Sequence, residues 1–413
     1  MSYYGSVGVR LKENLMAGLP TRTKSEDDYT GIPIPPCGDF AKTNSSSRPP
    51  WLQSRAPLNS SATLHQEIVD FVQYMAPTPQ EIATRKDLVH RFTSLITSFK
   101  TNATVRPVGS YVTGLYLPTS DIDMVLTVDH AYTFIGQARL DLSAICYKLH
   151  SSRFASKIDS VLDASVPLLR IIDKVTGIQI DLTAADQHGV KATKAVEKWL
   201  KQDTGIIKAL VLVVKIFLSI RRCGTTYTGG INSYVLVWMV VAWVNLEWKK
   251  KKNITRDTSK DISSLDAALA ALSMRSGSPS IAGLATANKP EDFGDALKGF
   301  LKFYGSDFDY NGKAISIEPT PYYKVKHYPY SRYTITQRYL LSIFDPADSS
   351  IDMGTKAYAI NHVRASFQEA YQTLVTEETL RKMYARNESV LSKFLGGDFG
   401  KFVEKRSKMA KIR

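Results

Sequence analysis

The chain has 413 residues, 44% of them hydrophobic, which supports a globular body of two folded units with tails. Its 53 Lys and Arg against 39 Asp and Glu give a net charge of +14, which favours a polyanionic partner over a merely solvated basic surface. Three scattered cysteines, Cys37, Cys146 and Cys223, exclude a disulfide framework and a CxxC zinc site and fit a reducing compartment.

In chain order, residues 1–18 carry no apolar core of signal-peptide length, which argues against secretion. Residues 1–62, rich in Pro, Ser, Gly and Thr without a sustained apolar period, are expected to be a loose, disordered tail. Helical spacing begins with Leu64, Ile68, Phe71, Val72 and Met75. After the break at PTP (77–79), a second helix is expected over 80–99, with Ile82, Leu88, Phe92, Leu95 and Ile96 on its apolar face. From 104 to about 183 the period changes to strands around a helix near 133–150. Helical patterns return at 190–201, 205–222 and 232–248.

The expected class is therefore α+β: a mixed-sheet unit over 101–186 and a mainly helical unit assembled from both sides of it, 63–100 and 187–375. Residues 249–289 read as a mobile insertion. Helical order resumes at 291–304, the Tyr-rich PYYKVKHYPYSRY follows, and a last helix covers 360–375. Residues 376–413 read as a basic C-terminal extension. The apolar run from Tyr234 to Val244, flanked by the lysines at 249–252, is well short of the roughly 20 residues a membrane span needs. A buried core helix is expected there, and no membrane partner.

The chemistry concentrates in VGSYVTGLYLPTSDIDMVL. Asp121 and Asp123 stand two apart at the start of an apolar strand, so their side chains share a face, roughly 7 Å apart at the backbone. Asp181, in GIQIDLTA, alternates with Ile178, Ile180 and Leu182 on another strand. Were the strands neighbours, three acids would converge on a two-metal site for in-line displacement at phosphorus, with magnesium as the natural ion and manganese as a substitute. Gly109 and Ser110 follow a strand and open a helix, where backbone N–H groups and a hydroxyl can meet a metal-bound triphosphate. Each motif is weak alone; their combination is specific.

These residues resemble the DNA polymerase β-like nucleotidyltransferases, and within them the template-independent poly(A) polymerases of the TRAMP type. HQEIVDFVQYMAPTPQEIATR, LVLVVKIFLSIRR, YTGGINSYVLVWMVV, DFGDALKGFLKFYGSDFDY and IFDPADSSIDMGTKAYAINHVRASFQEAY extend the likeness over about residues 50–375, apart from 249–289. The resemblance implies a catalytic palm packed on a helical central domain, with ATP bound in the cleft between them. It implies Asp121, Asp123 and Asp181 as metal ligands, with Asp181 also assisting deprotonation of the RNA 3′-hydroxyl. Lys215 is the implied triphosphate lysine, Ser233 a phosphate hydroxyl and Tyr234 the ring under the base. Residue chemistry alone leaves Lys215 free to snorkel and Tyr234 free to fill space, although a charge inside LVLVVKIFL is costly unless an anion meets it.

Asp352 falls in the family's base-reading loop. The histidine of many uridylyl-adding relatives does not occur there, so ATP is expected over UTP. Two departures stand out: Ile351 and His188 occupy positions where the family commonly has Asn, and His188 reads either as a ribose contact or as a surface turn. RNA phosphates have Lys194, Lys198, Lys201, the 249–252 run and the tail after Lys401 available. There is no RRM, KH or zinc-knuckle pattern. The resemblance therefore implies a separate zinc-knuckle RNA-binding protein and an RNA helicase as partners, delivery of adenylated RNA to the exosome, and a nuclear location with the cytoplasm left open. The competing readings are an RNA uridylyltransferase or relaxed-specificity enzyme, a catalytically silent RNA-binding scaffold, and transfer of AMP to proteins or small molecules.

Overall fold

The computed structural model describes residues 31–37, 49–52, 63–128, 135–164, 166–184, 188–251, 292–326, 338–384 and 388–410. Two apolar clusters organise them, one against a five-stranded sheet and one among helices.

Helix α1 (Leu64–Met75) is capped by Thr63, whose hydroxyl accepts the Gln66 N–H at 3.2 Å. Helix α2 (Pro79–Phe99) opens on a reciprocal capping box: Thr78 Oγ1 accepts the Glu81 N–H, and Glu81 Oε2 accepts the Thr78 N–H at 2.6 Å. The PTP break is thus a helix start signal. The two helices then diverge. Leu64, Ile68, Phe71 and Met75 enter the helical core, whereas Leu88, Phe92 and Ile96 pack under the sheet. The expected assignment of 63–100 as one piece to the helical unit is corrected accordingly. Apolar residues every four positions make a stripe that fits a sheet as well as a helix, and Ile82, counted on that stripe, is 49% exposed.

The sheet comprises β1 (Ala103–Pro107), β2 (Ile122–Val128), β3 (Ala155–Val161), β4 (Leu168–Asp173) and β5 (Gln179–Ala184), in spatial order β1-β2-β5-β4-β3. Only β2 and β5 pair in parallel; the other pairs are antiparallel. A short helix α3 (Ser110–Thr113) follows β1, and α4 (Ile135–Ser152) makes the crossover from β2. Ile122, Met124, Leu126, Ile180 and Leu182 are fully buried against α2 and α4. That burial fixes register, because a slip of one residue would turn the apolar set to the other face.

Helix α5 (His188–Lys201) leads into α6 (Ile206–Ile220) and α7 (Ser233–Trp243), the latter continuing as a π turn over Val244–Trp248. Residues 235–244 are all buried, so this apolar run is the core of the helical unit, and no helix among the described residues is long and apolar enough to cross a membrane. Helix α8 (Phe293–Lys302), hairpin β6 (Lys313–Ser316)/β7 (Tyr322–Val325), hairpin β8 (Phe344–Asp345)/β9 (Asp348–Asp352) and helices α9 (Ile360–Tyr384), α10 (Val390–Leu395) and α11 (Gly400–Ala410) complete the chain. Of the expected insertion at 249–289, residues from 252 onward lie outside the described set, as do 327–337 of the Tyr-rich stretch.

Both chain ends depart from expectation. Within the expected loose tail, Trp51 and Leu52 are buried, and the Trp51 ring meets Phe71 and Phe399 edge-on at 5.1 and 4.8 Å. Residues 31–37 run along α9 and α6: the Ile34 N–H donates to Ser366 Oγ at 2.9 Å and the Cys37 N–H to the Ile220 carbonyl at 3.1 Å. The C-terminal extension is likewise built into the body. Val390, Leu391, Phe394, Leu395, Phe399 and Phe402 join the helical core, and Met409 reaches the sheet cluster. These apolar positions recur at helical spacing beneath a basic surface, and the charge masks the period. Glu67 of α1, fully buried, accepts hydrogen bonds from Arg381, Ser389 Oγ and the N–H groups of Val390 and Leu391, which locks the extension to the first helix.

Candidate active site

The parallel register of β2 and β5 places Asp123 directly beside Asp181. Asp121 precedes the first residue of β2 on the same face, and one oxygen from each of the three carboxylates lies within 4.8 Å of the others. The loop before them is equally constrained. The Val108 N–H donates to the Asp123 carbonyl at 2.9 Å, and the Gly109 N–H donates to Thr193 Oγ1 at 2.8 Å. Gly109 adopts φ +67°, and a Cβ there would lie 2.9 Å from Asp123 Oδ2. Glycine is required both by the dihedral and by the close approach.

Electrostatically the cluster is short of positive charge. Burial, then the charges of Asp121 and Asp181, push Asp123 up to about 7. Asp181 is pushed up to about 6 by burial and by Asp121, against a 2.7 Å hydrogen bond from Gln179 and the Arg170 guanidinium 3.9 Å away. Lys215 supplies the opposing cation. Burial lowers its pKa while Asp121 and Asp123 raise it, and its Nζ donates to the Leu115 carbonyl at 3.0 Å. Crowded, oxygen-only and under-neutralised, the three acids are a donor set that hard divalent cations fit.

A second group lies where β8 meets α5 and α7. The carboxylate of Asp345, 2% exposed, accepts the Tyr234 hydroxyl at 2.8 Å and pairs with His188 Nε2 at 2.9 Å. Burial and then Asp345 raise the Tyr234 phenol above its ordinary range. Ser233 opens α7 behind the Asn232 cap, and Ser110 opens α3. The structure thus brings Asp121, Asp123, Asp181, Gly109 and Lys215 together, and joins His188 to Tyr234 through one acid. Asp352 is held within its own loop by Ser342 Oγ at 2.6 Å and by the N–H groups of Ile343 and Gly354 at 3.0 and 2.9 Å.

Sequence reasoning missed two residues. Asp345 stands in the quoted DPAD stretch, where an acid before proline reads as a turn. Arg85, 0% exposed on α2, donates from one nitrogen to the carbonyls of Pro118 and Ser120 at 3.2 and 2.7 Å, holding the turn that delivers Asp121. A charge beside the apolar stripe of α2 was the available signal, the same one that marked Lys215.

Family comparison agrees with this geometry. Residues 64–201 match the model for the central palm domain of mitochondrial-like poly(A) RNA polymerases, and residues 292–350 match that of Cid1 family poly A polymerases. In both segments the chain is similar to Cid1-type and mitochondrial-like poly(A) RNA polymerases. It is 28% identical to the poly(A) RNA polymerase cid14 of Schizosaccharomyces pombe over 81% of this chain and 43% of that relative. It is 27% identical to poly(A) RNA polymerase protein 2 of Saccharomyces cerevisiae over 75% of this chain and 47% of that one. The chain therefore spans less than half the length of these two relatives. The polymerase core of TRAMP, an RNA surveillance complex, shares the fold at a TM-score of 0.67 and 24% identity, covering 84% of this chain and 99% of that chain. One relative, from Drosophila melanogaster, is named an inactive non-canonical poly(A) RNA polymerase and is 28% identical over 75% of this chain and 68% of its own length.

Proposed function

We propose that the chain adds AMP from ATP to RNA 3′ ends without a template. One observation carries the reading: the carboxylates of Asp121, Asp123 and Asp181 converge beside Gly109, where a Cβ would press on Asp123. Kinship alone does not decide activity, since a relative of equal identity is named inactive. The intact acid trio favours the active reading.

Asp121, Asp123 and Asp181 would hold two divalent cations, magnesium by preference. Bound there, the cations would supply activation of the 3′-hydroxyl and neutralisation of charge on the triphosphate. The rest is work for the chain's own groups. Asp181 would take the 3′-hydroxyl proton as that oxygen attacks the α-phosphorus and pyrophosphate leaves. Lys215, Ser233 and the hydroxyl and N–H of Ser110 would hold the phosphates. Tyr234 would stack on the base, its hydroxyl pinned by Asp345, with His188 near the sugar. Asp352 would reach the base only after exchanging its present loop partners.

We assign the chain by kinship to a nuclear, TRAMP-type assembly with a zinc-knuckle RNA-binding protein, a helicase and the exosome. The deciding experiment incubates purified protein and a labelled RNA with magnesium and each nucleoside triphosphate in turn. ATP-dependent extension is expected; equal use of UTP would defeat the ATP assignment, and no extension with any nucleotide would defeat the catalytic one.

A further inference from the structure

Two pinned contacts run α5 alongside the paired hairpins. At the cleft end His188, the first residue of α5, is held by Asp345 of β8 at 2.9 Å. Ten residues on, Lys198 Nζ is 3.2 Å from both carboxylate oxygens of Glu318, in the turn between β6 and β7. At about 1.5 Å per helical residue the pins are about 15 Å apart. Between and beyond them Lys191, Lys194, Lys198 and Lys201 are all exposed, at spacings of three, four and three, and so form one stripe on α5.

The hairpins carry the complementary row. On β7, Tyr323 turns inward, its hydroxyl on Glu247 at 2.7 Å, so the alternation of the strand sends Tyr322 and Lys324 outward. Tyr322 is 40% exposed, and Lys324 Nζ lies 5.5 Å from its ring and 4.7 Å from that of Phe344, the neighbour of Asp345. The two hairpins are joined by the bridge between Ile315 and Ile343. A lysine stripe and an aromatic-cation row therefore leave the nucleotide cleft together. Acidic groups along the way include Glu197 of α5 itself, three residues after Lys194, Glu318, already paired with Lys198, and Asp348, whose charge interacts with Lys191.

We propose that this seam binds single-stranded RNA next to its reacting 3′ end, with Lys191 and Lys194 on phosphates and the Tyr322 ring stacked under a base. A lysine stripe tied through Lys198 and Glu318 to a hairpin that carries an exposed ring supplies the elements of sequence-tolerant single-strand binding. Glu318 then acts as a place holder that fixes the edge of the seam. The inference rests on the proposed RNA activity but concerns residues outside the acid cluster.

The test is fluorescence anisotropy of a 3′-blocked oligoadenylate on the full chain, across a salt series, beside extension kinetics. Lys191→Gln with Lys194→Gln is expected to weaken RNA binding and flatten the log–log salt slope by about 1.4, the value for two lost single-strand phosphate contacts. Tyr322→Ala is expected to weaken binding about tenfold, with Tyr322→Phe near wild type. The KM for ATP at saturating RNA should not move, and the melting temperature of each variant should match wild type. RNA affinity and salt slope unchanged in both the double variant and Tyr322→Ala would overturn the seam, whether or not extension is normal. Wild-type protein that binds RNA with these dependences but never extends it would defeat the catalytic reading and leave the seam standing.

Discussion

Two acidic sites of the molecule are treated in opposite ways. Glu67, fully enclosed in the helical unit, accepts from a guanidinium, a hydroxyl and two backbone N–H groups. The palm instead crowds Asp121, Asp123 and Asp181 together with Lys215 as a half-buried counterion. A carboxylate that serves the fold is satisfied from within the chain. In the proposed function the palm's trio is left wanting positive charge, a deficit that divalent cations would fill.

The sharpest way to break this contrast is Asp121→Ala, expected to lower RNA extension by about a thousandfold or more while the fold persists. A variant that extends RNA at the wild-type rate would remove the acids from the mechanism. Next in size, Arg381→Ala leaves Glu67 buried without its cation and should cost about 3–5 kcal/mol in urea unfolding, with the activity of the folded fraction unchanged. Loss of activity without loss of stability would reverse the roles assigned to the two sites.

Asp123→Asn gives the opposite sign. Burial and like charge raise the folded carboxyl from 3.8 to about 7, so the native state holds the proton more tightly than the unfolded chain. Metal-free stability should therefore fall as pH rises from about 4 through 7, because the unfolded chain releases that proton first. In chelator at pH 8 the amide should stabilise by about 1–2 kcal/mol, allowing for solvent screening, and the gain should vanish toward pH 4. Equal destabilisation at both pH values would show that the acid is satisfied in the apo protein. The smallest effect is expected from Tyr234→Phe, which removes one donor to Asp345 and should cost about 1 kcal/mol, read as a few-fold rise in the KM for ATP.

The palm was legible in the sequence because its signals are local. Alternation around Asp121, Asp123 and Asp181 marks strand faces, and Gly109 marks a close approach, within windows of a few residues. Strand adjacency of β2 and β5 is not local: the sequence leaves it as a condition of the three-acid reading, and the parallel pairing supplies it. What stayed hidden depends on distant partners. The stripe of α2 does not say whether it meets a sheet or a helix. Trp51 looks stranded in a Pro- and Ser-rich run until Phe399 arrives from the other end of the chain. Asp345 has no periodic neighbour to flag it, and only the meeting of α5, α7 and β8 reveals its two side-chain partners.

The closure of Glu67 by Arg381 and Ser389 also sets an order of assembly during synthesis. The strands from 103 to 184 are contiguous and can collapse on themselves as soon as they emerge. The helical unit must wait more than three hundred residues for the partners of its first helix. A chain cut short near residue 370 would carry a paired sheet lacking Met409 and an unsealed bundle, with Glu67 bare and Trp51 without Phe399, a form suited to capture by chaperones.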